Sequence, residues 1–286
     1  MAFRKAERKQ AKLKIGLSAP SGAGKTYSAL LIAYGICGDW SKIAVIDTEN
    51  GSAELYSHLG DYSVCPIKPP FIPNKYIAAI HEAVEAGFKV LIIDSLSHAW
   101  SGEGGLLDMQ DKAVKASRSG NSYTAWREIT PEHNRLVDAI LQSDIDVIVT
   151  TRAKSDYVMT DDGNGKKSVK KVGLAPIFRD GLEFELTTFF DLTQEHIATA
   201  SKDRTGVFDG QNFKPTVETG KLFAEWRNGG IVEPPKAEEL NTSNDYTCCV
   251  CGKEIREKLY SQSVEKYGNP FCSKDCKDQY MAGDKQ

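Results

Sequence analysis

Short runs of consecutive apolar residues alternate along this chain with longer stretches in which apolar positions recur every three or four residues. The short runs, at 13–17, 43–46, 90–93, 147–150, 187–192 and 196–200, predict strands. The periodic stretches at 25–36, 76–86, 122–142 and 220–226 predict helices. Apolar strands separated by helices imply an α/β domain whose mainly parallel sheet is covered on both faces. The alternation fades near residue 231. Residues 232–245 carry Pro234-Pro235 and then polar residues, the composition of a linker. The 41 residues of 246–286 are too few to fold on apolar burial alone, so a staple is expected there.

One junction between a predicted strand and a predicted helix carries chemistry. It reads Ala19-Pro20-Ser21-Gly22-Ala23-Gly24-Lys25-Thr26, followed by Tyr27. A glycine-rich loop ending in Gly-Lys-Thr wraps phosphates in backbone N–H groups, and the helix after it points its positive dipole end at them. Lys25 can reach the β- and γ-phosphates, and the Thr26 hydroxyl can join the shell of a magnesium ion. Ala19 stands where such loops usually begin with glycine. Gly22 and Gly24 still allow close backbone approach. ATP and magnesium are the expected ligands. The run Val90–Ile93 ends in Asp94, and a carboxylate there, beside the phosphate loop, can also hold magnesium.

Composition narrows the surroundings. The chain has 286 residues and an ordinary charged fraction, with a net charge of -3, which excludes a uniformly basic nucleic-acid coat. Without an apolar run near 18 residues no membrane span is expected. Residues 1–14 form a basic arm without the apolar centre of a signal peptide, so a cytoplasmic location is expected. Of seven cysteines, five crowd into residues 248–276. Cys248 and Cys251 are spaced CxxC; twenty residues later Cys272 and Cys276 are spaced CxxxC. Four thiolates so spaced predict a closed, structural zinc site, with Cys249 as a spare, and the pattern resembles treble-clef fingers.

The series of motifs also resembles RecA-like ATPases. In that family a strand ending in Ile-Asp-x-Glu presents the glutamate that polarises the attacking water. Ile46-Asp47-Thr48-Glu49 has this form, so the resemblance assigns the role to Glu49. It also implies a polar residue after a later strand that senses the γ-phosphate. Thr151 stands at that place, where RecA has glutamine. Ser201-Lys202-Asp203-Arg204-Thr205-Gly206 resembles a turn whose two cations reach the nucleotide of the neighbouring subunit. By that likeness Lys202 and Arg204 act in trans, and a homo-oligomer, ring or filament, is implied. Residues two apart on a strand face the same way, which suits a shared target. A solvated charged turn is the competing reading.

RecA-like recombinases hold single-stranded DNA with two loops, and residues 101–122 and 153–176 lie at the corresponding places. The second contains Lys166, Lys167, Lys170 and Lys171 near an Asp-Gly/Asn-Gly tip, where they could track a phosphate backbone; a solvated hairpin is the alternative. Trp100, Tyr123 and Trp126, near the first, are expected in the core. More narrowly, the opening Phe3–Gln10 with the Gly-Lys-Thr loop and Lys-Asp-Arg-Thr-Gly resembles phage-encoded ATP-binding proteins related to the Sak-four group of single-strand annealing recombinases. That resemblance spans about residues 2–230. It implies an ATP-dependent, oligomerising single-stranded-DNA binder or annealer of recombination or replication, in the host cell's cytoplasm, with a single-strand-binding or replication protein as a candidate partner. Two alternatives remain: a nucleoside kinase of the thymidine-kinase type II kind, which also joins such a core to a zinc module, and a nucleotide-gated interaction module with little turnover. The expected division is therefore a basic arm (1–14), a RecA-like P-loop core (15–231), a linker (232–245) and a zinc finger (246–286).

Overall fold

The computed structural model describes residues 11–117, 120–161, 167–229 and 247–283. The chain divides into two compact units, residues 1–232 and 233–286. The expected arm up to residue 10 and the expected linker lie outside the described residues, as do Lys166 and the side chains of Lys167, Lys170 and Lys171.

The larger unit runs β1 (Lys14–Ala19), α1 (Lys25–Cys37), β2 (Ile43–Asp47), β3 (Ser63–Pro66), α2 (Pro73–Glu85), β4 (Val90–Asp94), α3 (Ser97–Ser101), α4 (Leu106–Ala116), α5 (Ser122–Gln142), β5 (Asp146–Asp161), β6 (Lys167–Pro176), α6 (Leu182–Glu185), β7 (Thr188–Leu192), β8 (Ala198–Asp203), β9 (Asn212–Phe213) and α7 (Val217–Asn228). The sheet order is β3-β2-β4-β5-β1-β7-β8-β9, with β6 paired to β5. Strands β3, β2, β4, β5, β1 and β7 are parallel, while β8 and β9 continue antiparallel. A mostly parallel sheet with helices on both faces is the architecture the alternating pattern predicts.

Strand parity sends residues to two cores. Leu13, Ile15, Leu17, Ile92, Ile148 and Phe190 pack under α1 and α7. Val147, Val149, Leu91, Ile93 and Phe189 pack under α2 and α5. Helix α1, which carries Lys25 and Thr26, is buried along much of its length and meets α7 backbone to backbone. A Cβ at Gly35 would overlap the Val217 carbonyl, and one at Gly220 would overlap the Ile32 carbonyl. The pair of glycines thus sets how closely α7 braces the helix behind the phosphate loop. Arg227 of α7 adds an ion pair with the buried Asp146 at the start of β5.

Several expectations change. Residues 101–122 are not a long loop: α4 occupies 106–116, with Leu106 and Gln110 buried. Three nearby glycines obscure its helical period. Strand β5 does not end at Thr150 but continues to Asp161 and pairs with β6 as a long antiparallel hairpin. The segment 153–176 is therefore paired strand outside its tip, with one register shift between Asp156 and Tyr157. The strand expected at 196–200 begins at Ala198, because His196 adopts a left-handed turn (φ 65°). Lys14, expected in the arm, is buried inside β1. Strand β3 was not foreseen. Trp100 and Trp126 stack on each other at 5.6 Å, but Tyr123 is 80 % exposed rather than in the core. Among the described residues no helix is long and apolar enough to cross a membrane.

The smaller unit has a bridge between Thr247 and Glu254, then α8 (Glu257–Tyr267) and α9 (Lys274–Gly283). Its apolar interior is slight: Ile255 and Phe271 are buried beside Cys248.

Candidate active site and metal centre

The parallel strands end on one side of the sheet, and their last residues build the site. The turn after β1 puts Gly22 and Gly24 in left-handed backbone (φ 82° and 83°), a conformation that favours glycine. A Cβ at Gly22 would meet nothing within 4 Å, so backbone conformation is what requires glycine there. Ala19 is the last, fully buried residue of β1, where a methyl group is at home. The departure from the usual first glycine is thus absorbed by the strand. Lys25 donates to the carbonyls of Ala19 (3.1 Å) and Pro20 (3.0 Å). Burial lowers its pKa against the opposing charges of Asp94 and Glu49.

Asp94 ends β4 and is almost wholly buried. Its Oδ2 accepts the Thr26 hydroxyl and its Oδ1 the Thr150 hydroxyl, each at 2.5 Å. Burial raises its pKa, partly offset by these two hydrogen bonds. A divalent cation would reverse that balance by favouring the ionised carboxylate.

Asp47, at the end of β2, shapes the next turn. Its two oxygens accept the N–H groups of Glu49 (2.6 Å) and Ala53 (3.0 Å). Thr48 accepts the Ser95 N–H at 2.9 Å and lies 2.7 Å from Nδ1 of His98. The turn therefore lies against the end of β4, and Glu49 Oε1 accepts the Ser95 hydroxyl at 2.9 Å. Ser95 follows Asp94, so the carboxylate absent from that position in sequence is supplied from β2. Arg152 closes the group. Its Nε donates to Glu49 Oε1 at 2.9 Å and a terminal nitrogen donates to Oε2. Burial works to raise the Glu49 carboxyl, but the hydrogen bonds from Arg152 and Ser95 outweigh it and hold its pKa below the ordinary value.

Ser21, Gly22, Gly24, Lys25, Thr26, Tyr27, Glu49 and Asp94 line one cleft of about 510 Å³, together with Arg152 and His196. Ala23 lies buried beneath it, its carbonyl 3.0 Å from His196 Nδ1. Thr151 is not at this cleft. Its hydroxyl is buried on the opposite face of β5 without a partner among the described residues, and Thr150 is the threonine that faces Asp94. Lys202 and Arg204 do not line the cleft either. Both donate to the Phe184 carbonyl, Arg204 at 2.8 Å, beside the exposed Phe184 ring. Between them Asp203 turns the other way, holding Thr188, Thr205 and Phe208.

Residues 11–224 match the AAA domain family. The chain belongs to that family. No curated protein matches it. The AAA domain is a P-loop ATPase domain, which implies a nucleotide and its magnesium ion as ligands. The residues fit this pair. The loop leaves its phosphate cradle free of side chains at Gly22, and Thr26 and Asp94 supply the oxygen donors magnesium takes. Several residues of the AAA domain site were not anticipated. Arg152 and Thr150 could have been found from β5 parity, while Asp47, Ser95 and His196 gave no separate signal.

In the smaller unit the sulfurs of Cys248, Cys251, Cys272 and Cys276 lie within 4.8 Å of one another. Cys251 and Cys272 are 3.5 Å apart, Cys272 and Cys276 3.6 Å. A zinc tetrahedron with bonds of about 2.3 Å has edges of about 3.8 Å, so the cluster fits that ion. Gly252 (φ 70°) makes the tight turn, and its N–H donates to the Cys248 carbonyl at 2.9 Å. Against a burial penalty, backbone N–H groups of Cys251, Val250 and Cys272 lower the Cys248 thiol to about 6. The neighbouring thiols push Cys272 up. A cation would let all four ionise. Cys249 is exposed and outside the cluster.

Proposed function

We propose that this AAA domain hydrolyses ATP as a homo-oligomer and that turnover serves single-stranded-DNA binding or annealing in recombination or replication. The observation that carries the hydrolytic part is the meeting of Glu49, from β2, with Ser95 beside Asp94, in the cleft that Lys25 lines. Lys25 and the loop N–H groups hold the phosphates, and Thr26 and Asp94 would hold magnesium. Bound there, magnesium supplies neutralisation of the phosphate oxygens. Glu49 takes a proton from water as the water oxygen bonds to the γ-phosphorus. The bond to the β–γ bridging oxygen breaks, and ADP leaves with that electron pair.

The oligomeric part rests on Lys202 and Arg204. They converge on one exposed point away from their own cleft, which suits cations that serve a neighbour's phosphates. The nucleic-acid part rests on Lys166, Lys167, Lys170 and Lys171 and on the sequence resemblance.

The test uses purified full-length chain, labelled ATP and magnesium, with and without single-stranded oligonucleotide. Hydrolysis stimulated by the oligonucleotide supports the reading. Phosphoryl transfer to thymidine would instead make the protein a nucleoside kinase, and binding without turnover a nucleotide-gated module. For the shared site, Arg204→Ala is titrated against Glu49→Gln at fixed total protein. Each alone is inactive, and mixed oligomers regain activity where an intact Glu49 meets a neighbour's Arg204. A flat profile across all ratios refutes the shared site.

A further inference from the structure

Most of the acceptor capacity of Glu49 is engaged in the conformation observed. Its two carboxylate oxygens accept three hydrogen bonds, two from the Arg152 guanidinium and one from Ser95. A base whose lone pairs are engaged in a two-pronged ion pair is held off its substrate. We propose that Arg152 is a nucleotide-responsive lock: it clamps Glu49 while the cleft lacks a triphosphate, and it is drawn off by the γ-phosphate when ATP binds. The proposal rests on the reading of Glu49 as the hydrolytic base.

Three features support it. First, Arg152 is rooted beside the phosphate loop. It pairs in register with Ala19, the residue from which the loop departs, so their backbones are one strand spacing apart, about 4.8 Å. The guanidinium on that root reaches Glu49 and lines the same cleft as the phosphate loop. Second, the root is fixed while the head has open space on its cleft side. The Arg152 N–H donates to Ser97 Oγ at 2.9 Å and its carbonyl accepts the Ile177 N–H at 2.6 Å. The Arg152 side chain nevertheless stays 44 % exposed and faces the cleft. Third, the incoming ligand is a stronger anion than the present partner. Glu49 carries one charge, whereas a magnesium triphosphate keeps about two, and its γ-phosphate oxygens match the guanidinium fork. Lys25 likewise has internal partners, donating to carbonyls of its own loop. Lys25 and Arg152 therefore both have to change partners on binding, and the move of Arg152 removes two of the three hydrogen bonds that engage the base.

A lock of this kind weakens triphosphate binding, because opening it consumes part of the interaction free energy. Removing Glu49 relieves that loss only if Arg152 is there to be released. The experiment measures calorimetric affinities for magnesium complexes of β,γ-imido-ATP and of ADP, so that hydrolysis plays no part. It compares wild type, Glu49→Gln, Arg152→Ala and the double variant. Glu49→Gln is expected to tighten the triphosphate analogue by about three- to tenfold more when Arg152 is intact than in the Arg152→Ala background. ADP, lacking the γ-phosphate, should show much less of this difference. Arg152→Ala should weaken the analogue more than ADP. An equal effect of Glu49→Gln in both backgrounds would mean simple charge repulsion and overturn the lock, as would the same coupling for ADP. Should Arg152→Ala fail to fold, Arg152→Lys serves: it keeps the charge, loses the fork, and should reduce the coupling. Wild type that binds neither nucleotide, or a Lys25→Ala chain that binds both normally, would overturn the nucleotide reading itself, a result distinct from intact binding without coupling.

Discussion

Thr26 donates its hydroxyl to Asp94 across 68 positions of sequence and 2.5 Å of space. The phosphate loop's last residue and the end of β4 are thereby joined by the fold itself. Magnesium would enter between two oxygens already facing each other, and the cost of assembling its donors falls largely on folding.

Loss of Lys25 should abolish nucleotide binding, since the β- and γ-phosphates lose the lysine that extends from the loop itself. Glu49→Gln should retain binding and lose hydrolysis by on the order of a hundredfold or more. Equilibrium binding and labelled-phosphate release separate the two effects. Normal release by the Glu49 variant would remove that residue from its role.

Gly35→Ala should destabilise the larger unit by about 1–3 kcal/mol, because the added methyl meets the Val217 carbonyl and α7 cannot move off without disturbing the Arg227–Asp146 pair. Gly220→Ala should do the same from the other side. Urea midpoints report the change. A Gly35→Ala chain as stable as wild type would show that the two helices tolerate a wider spacing.

Much of this was legible beforehand, and the failures have physical causes. Helix α5 follows its apolar period from Ser122 to Gln142, the bounds expected. The sheet strands announce themselves because burial on both faces makes them continuously apolar. Strand β3 did not, since it lies at the sheet's edge and three of its four residues are exposed. Helix α4 was masked by Gly102, Gly104 and Gly105 just before it. In the site, Thr151 was singled out by position, but side chains alternate along a strand, and one step moves the hydroxyl from Asp94 to the opposite face. The pairing of Arg152 with Glu49 spans 103 positions and depends on sheet order, which no local pattern encodes.

Lys14 gives a pH dependence. Its ammonium donates to Ser143 O, Ser143 Oγ and Ile145 O, and burial, partly offset by Asp146, lowers its pKa to about 8. The folded chain then binds fewer protons than the unfolded chain between about pH 8 and the ordinary lysine value of 10.5. Stability attributable to this group therefore rises with pH across that window and is flat below it. Lys14→Met should remove the rise, while costing on the order of 1–3 kcal/mol at neutral pH through unpaired carbonyls. Urea midpoints of both chains from pH 7 to 10 test this, and parallel curves would contradict it.

Freshly purified protein should contain one zinc per chain. Chelation should unfold the unit 233–286 and leave the unit 1–232 folded, as read by the loss of α8 and α9 helicity and by retained nucleotide binding. Cys272→Ser should abolish metal uptake. Cys249→Ser should change stability by less than about 0.5 kcal/mol, since Cys249 stands apart from the cluster. Elemental analysis without zinc would remove the claim.

Strand β5 carries one further consequence. It starts at Asp146, held by Arg227, passes Thr150 beneath Asp94 and Arg152 at the cleft, and runs on to Asp161 with one register shift at Asp156/Tyr157. From Arg152 to Asp161 an extended chain covers about 30 Å. A rod of that length rooted in the nucleotide site is a pointer: one degree of tilt at its foot swings its far end by about half an ångström. Small shifts at the strand's foot are thus magnified toward the hairpin's far end.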